Sequence, residues 1–135
     1  MSDLKKELDY QINKLVNDLS HTEVYQRKHA AWTLARLAQK GKAEKIVSAG
    51  AVSKLAKCLY DNELIVRYRV VWALSMLAKH GQKKAVLEAD VEATLSNMID
   101  DNNEVEICHP QTNEMIYTTL GNLAKEAIGY LHNES

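Results

Sequence analysis

Apolar residues between positions 64 and 79 recur with the period of a helix. In LIVRYRVVWALSMLAK, Val66, Val70, Leu74, Leu77 and Ala78 share one face of a helix about four turns long. Arg67, Arg69, Trp72, Met76 and Lys79 fall on the opposite face, which predicts a helix with one side outside the core. Forty residues earlier, VYQRKHAAWTLARLAQ has the same pattern: Arg27, Trp32, Leu34, Leu37, Ala38 and Gly41 stand in register with Arg67, Trp72, Leu74, Leu77, Ala78 and Gly81. The first predicted helix, Leu4 to Leu19, joins this register through Leu15, Leu55 and Leu95, and through Leu19, Leu59 and Ile99. Ser20-His21-Thr22, Asp61-Asn62 and Asp101-Asn102 supply short polar side chains suited to capping the helix that follows. Gly41 stands where a helix ends on a left-handed residue.

The repeating unit thus reads as a short helix, a bend, a medium helix, a capped turn and a long helix. One such unit cannot bury its own apolar face, so consecutive units must stack. The third copy departs from the register. Leu120, Leu123 and Ala124 answer Leu74, Leu77 and Ala78 after forty-six residues, which leaves six extra residues around Cys108-His109-Pro110. Proline restricts its own backbone and that of the residue before it, so a loop is expected there. The last long helix is expected to resume near Thr112 and to run to about Leu131, with Thr118 at the tryptophan position.

The string AEKIVSAGAVSKLAKCLYDNELIVRYRVVWALSMLAKHG resembles an armadillo repeat, and the likeness extends over roughly residues 12–124, with forty-residue HEAT repeats as its near competitor. The resemblance implies an all-α, right-handed solenoid of about three repeats. The expected organisation is one domain over residues 1–135, with units of roughly 1–40, 41–80 and 81–135. It also implies a concave groove lined by the long helices, which in that family binds extended segments of other proteins. The family's asparagine one turn after the tryptophan is replaced by Arg36 and Met76, and returns only at Asn122, where the tryptophan is missing.

Spacing along the long helices nominates the groove. It gives Lys28, Trp32 and Arg36 beside His29, then Tyr68, Trp72 and Met76 beside Arg69, then Glu114, Thr118 and Asn122. Trp, Tyr, Met and Arg are types that anchor interfaces. The cationic residues around the two tryptophans favour an acidic or neutral segment with an apolar anchor over a basic one. Packing of the tryptophans between neighbouring units is the competing expectation.

Charge adds a second asymmetry. Residues 1–84 carry sixteen Lys and Arg against eight Asp and Glu, whereas residues 85–124 carry eight acids and no Lys or Arg. Self-association through the ends of the repeat stack, head-to-tail or about a two-fold axis, is therefore an alternative function, as is nucleic-acid binding by the basic first units, although the acidic third unit would repel phosphates. Apolar residues at both ends (Leu4 and Leu8 in the first helix, Ile128, Tyr130 and Leu131 in the last) support self-association.

Catalytic signatures are absent: no phosphate-binding glycine loop, no HExxH, no CxxC and no G-x-S-x-G. No enzymatic activity, metal site or cofactor is expected. Cys58 and Cys108 form no disulfide pattern, and no apolar run reaches membrane-spanning length. With no signal-peptide core at the N-terminus, the expected compartment is the cytoplasm, or the nucleus, with no membrane association.

Overall fold

The computed structural model describes residues 2–109 and 112–132. Its elements are α1 (Ser2–Asp18), α2 (Val24–Leu37), α3 (Ala43–Ser48), α4 (Ala51–Cys58), α5 (Leu64–Leu77), α6 (Lys83–Glu88) and α7 (Glu92–Asn97). A hairpin of β1 (Glu104–Cys108) and β2 (Met115–Thr119) then leads directly into α8 (Leu120–His132). The fold is an all-α repeat solenoid into which one two-stranded hairpin is inserted.

The repeat follows from local chemistry. After α2 and α5 the chain turns at Gly41 (φ 91°) and Gly81 (φ 93°), a left-handed conformation in which a β-carbon would be strained. Before α2, α5 and β1, a polar side chain accepts the amide two residues on. His21 Nδ1 takes the Glu23 N–H at 3.0 Å, Asp61 Oδ1 that of Glu63 at 3.0 Å, and Asp101 Oδ1 that of Asn103 at 2.9 Å. These residues close the turn itself, and do not cap the helix beyond it.

One guanidinium joins the first two such turns. Arg27 donates through Nε and Nη2 to the Asp61 carboxylate at 2.7 and 3.2 Å, and through Nη1 to the carbonyls of His21 and Thr22 at 3.0 and 2.9 Å. Arg67, its counterpart, repeats one of these bonds, to the Asp61 carbonyl at 2.8 Å. The Arg27 and Asp61 side chains are only 16% and 9% exposed. Burial alone would raise the Asp61 carboxyl, but the bonds from Arg27 and the Glu63 amide outweigh it and hold its pKa below the usual carboxylate value. The folded protein therefore releases this proton more readily than the unfolded chain. The resulting stability is complete above the unfolded pKa of about 3.9 and is lost as pH falls through the lower folded value. Arg27→Met is expected to cost roughly 1.5–3 kcal/mol at pH 7. Urea unfolding of both proteins from pH 7 to pH 3 should show the gap narrowing in acid.

The core is continuous through the stack. Ile12 and Leu15 of α1 are buried, as are Leu19, Leu34, Leu55, Leu59, Leu74, Leu77, Leu95, Leu120 and Leu123, and Leu37 and Ile99 pack against them. Helix α5 lies between α2 and α8 and is also touched by β1. It is consequently buried nearly all round. Val66, Tyr68 and every residue from Val70 to Leu77 are inside, which corrects the expectation of a solvent-facing side carrying Trp72 and Met76.

The third unit differs most from expectation. Helix α8 starts at Leu120, eight residues later than the expected resumption near Thr112, and the preceding stretch is β2. Ile116, Tyr117, Thr118 and Thr119 are β-branched or aromatic, and such side chains lose rotamer freedom in a helix but fit a pleated surface. Val105, Ile107 and Cys108 of β1 are buried, so the hairpin has an inner side of its own. Pro110, expected in a loop, lies outside the described residues. At the ends of the stack Leu131 is buried, Leu8, Ile128 and Tyr130 are partly covered, and Leu4 is exposed.

Candidate functional site

The long helices α2 and α5 pack side by side, and the repeat places their tryptophans in contact, with ring centroids 4.9 Å apart and planes tilted by 58°. The two rings do not share one environment. Trp72 is 1% exposed and belongs to the core, while Trp32 is partly open to solvent. Over Trp32 lies the Arg69 guanidinium, 4.7 Å from the ring centroid, and its Nη1 donates to the Lys28 carbonyl at 3.1 Å. Arg69 Nε is buried with no hydrogen-bond partner among the described residues. The arginine thus crosses from α5 to α2 and fixes a cationic edge beside an aromatic ring.

Toward the start of α2 the same stripe continues through Lys28, His29 and Tyr25. Tyr25 and His29 stack, with centroids 6.1 Å apart and planes 3° from parallel, and the Lys28 ammonium lies 5.8 Å from the Tyr25 ring. Tyr25 is exposed and was not among the sequence candidates, although its four-residue spacing from His29 would have identified it. Between α1 and α2, Tyr25 and His29 border a cleft of about 350 Å³, with Lys14, Leu15 and Asp18 on its other wall.

Toward the end of α2 the stripe is closed by the chain itself. Arg36 donates to Cys108 Sγ at 3.1 Å, to Asn113 Oδ1 at 2.5 Å and to Gln39 Oε1 at 3.2 Å. Gln39 in turn donates to Met76 Sδ at 3.4 Å. Arg36 and Met76, expected to face a partner, therefore hold the hairpin and the core. Of the sequence-predicted residues, Lys28, His29, Trp32 and Arg69 come together on one accessible surface. Tyr68, Trp72 and Met76 are buried.

The third stripe of candidates is not formed. Glu114 lies in the hairpin turn, Thr118 on β2, and only Asn122 on α8, so the helical spacing that related them does not exist. Two histidines lie near helix ends. His132 is exposed and pairs with Glu92 at 3.0 Å, and His80 is half-buried with its Nε2 unpartnered among the described residues, where burial and the neighbouring Lys79 lower its pKa. No described helix is long and apolar enough to cross a membrane.

A stack of forty-residue helical units with this surface defines an armadillo/HEAT-like repeat protein. The family model of Cnd1, the non-SMC mitotic condensation complex subunit 1, matches residues 1–127, and the chain belongs to that family. No curated protein matches it. Among solved structures it is similar to an engineered protein, with 25% identity and a TM-score of 0.70 over 89% of this chain and 44% of that one. It is also similar to a designed armadillo repeat protein in complex with the peptide (KR)4, with 24% identity and a TM-score of 0.72 over 90% of this chain and 46% of that one. The chain therefore spans less than half the length of either structure.

Proposed function

We propose that the domain is a non-enzymatic protein-interaction module that takes a segment of a partner protein across the Trp32 surface. The observation that carries this reading is the Trp32 ring, left partly exposed beneath the Arg69 guanidinium, with Lys28 and His29 about one turn earlier on the same helix, while its repeat partner Trp72 is buried. An apolar side chain gains by covering the ring, and carboxylates pair with the cations at its border. The designed relative was solved with a basic peptide, whereas the cations on this surface favour an acidic or neutral segment. Membership of a family described as a subunit of a multi-protein complex is consistent with a role in assembly.

The test compares a peptide of four Glu-Leu repeats with (KR)4. The acidic peptide is expected to bind at least tenfold more tightly, and Lys28→Glu combined with His29→Glu should remove or reverse that preference. Equal binding of both peptides by the unmodified protein would contradict the reading.

A further inference from the structure

We infer that the outer edge of β2 is a second docking surface, which receives an extended basic segment of a partner protein as a third strand. Two bonds at the ends of the hairpin fix its alternation: His109 N–H to the Glu114 carbonyl at 2.8 Å, and Leu120 N–H to the Asn103 carbonyl at 3.0 Å. In the antiparallel register, Glu106 faces Tyr117 and Cys108 faces Met115. Both are the non-hydrogen-bonded kind of pair, so the N–H and C=O groups of Met115 and Tyr117 point away from β1. No third strand pairs with that edge among the described residues.

The side chains along the edge are as open as its backbone. Met115, Ile116 and Tyr117 are 44%, 36% and 77% exposed, three apolar residues in succession. Strand edges are normally protected by a charge, a proline or a bulge, and β2 contains none of these. The strand is nevertheless held in place, because β1 packs on α5 and Arg36 grips the turn. An ordered, unprotected apolar edge is suited to strand addition.

Charge selects the occupant. Glu106 lies directly across from Tyr117 and Glu104 across from Thr119, so these carboxylates share a face with the tyrosine. Neither they nor Glu114 form an ion pair among the described residues. Residues 85–124 contain no Lys or Arg at all. A second copy presenting its own β2 would bring an equally acidic band alongside, which like charges disfavour. A Lys or Arg on the added strand would instead lie over the Tyr117 ring and reach Glu106, about two strand spacings of roughly 4.8 Å away. Its alternate residues would be apolar, beside Ile116. The recognised pattern is therefore basic and apolar residues in alternation, on a surface separate from that around Trp32.

Amide hydrogen exchange provides the test, with a peptide of four Lys-Val repeats as probe and four Glu-Val repeats as control. The Lys-Val peptide is expected to slow exchange at Met115 and Tyr117 at least tenfold, and the Glu-Val peptide to leave it unchanged. Tyr117→Pro removes the outward N–H without touching a bond to β1 and should weaken binding at least tenfold, as should N-methylation of alternate residues in the peptide. Tyr117→Thr, which keeps the strand but loses the ring, should weaken it about threefold. Unchanged exchange at saturating peptide would overturn the proposal. So would equal slowing of exchange at Met115 and Tyr117 by the two peptides, or concentration-dependent protection of the edge by the protein alone. Because Lys28→Glu with His29→Glu leaves β2 untouched, loss of one surface is distinguishable from loss of the other.

Discussion

Replacing Trp72 with alanine is expected to destabilise the protein by about 3–5 kcal/mol, whereas the same change at Trp32 should cost much less. The two residues occupy the same repeat position and touch each other. Trp72 lies on α5, which has α2 on one flank, α8 on the other and β1 against it, so alanine there leaves a cavity that three elements would have to fill. Trp32 lies on α2 with α5 against its ring, and its partial exposure lets solvent occupy part of the space that opens. Against a typical domain stability of about 5–15 kcal/mol, the loss at Trp72 is a large share of it. Urea denaturation of the two variants measures the difference, and near-equal midpoints would contradict this account of α5.

That contrast also shows where the sequence was informative. The forty-residue register located the helices of the first two units closely, because leucines and glycines at fixed spacing have one function in every copy: the leucines fill the core and the glycines allow the turn. Trp32 and Trp72 are identical as letters, but their burial depends on what lies beyond them, and that is set by a unit forty residues away. The third unit was read by copying the second, and its matched core residues Leu120, Leu123 and Ala124 are indeed buried. Extending the helix backward from them failed because the residues before Leu120 prefer strand. Alternation in EVEIC and the β-branched run in MIYTT carried that signal. The accessible residues of the candidate site (Lys28, His29, Trp32 and Arg69) are the part nominated by spacing on α2 and α5 that the structure leaves open. The closed part was not legible, because Arg36 meets Cys108 and Asn113 only through the hairpin.

Gly121→Ala should destabilise the protein by about 2–3 kcal/mol, and Gly129→Ala in the same helix should stabilise it by up to roughly 1 kcal/mol. A β-carbon on Gly121 would lie well inside van der Waals contact of the Ile99 carbonyl oxygen and 2.9 Å from that of Asp101, and backbone oxygens cannot rotate aside as a side chain would. The Gly121 amide also donates to the Asp101 carbonyl at 2.9 Å, so the close approach is a bonded one. At this point the chain leaving α7 crosses the start of α8 on its way into the hairpin. Ala35 and Ser75 fill the equivalent buried positions of α2 and α5, where no such crossing occurs. Gly129 is exposed with nothing near its missing β-carbon, so alanine there contributes its helix preference alone. Thermal unfolding of the two variants should give shifts of opposite sign.

The proposed role rests on Trp32 being the accessible member of the tryptophan pair. The most direct measurement is the Glu-Leu peptide titration followed by fluorescence in two single-tryptophan proteins, Trp72→Phe and Trp32→Phe. The protein that keeps Trp32 is expected to be quenched by iodide and to change its emission as the peptide binds, while the protein that keeps Trp72 should do neither. A peptide response from Trp72, or none from Trp32 at saturation, would contradict the account.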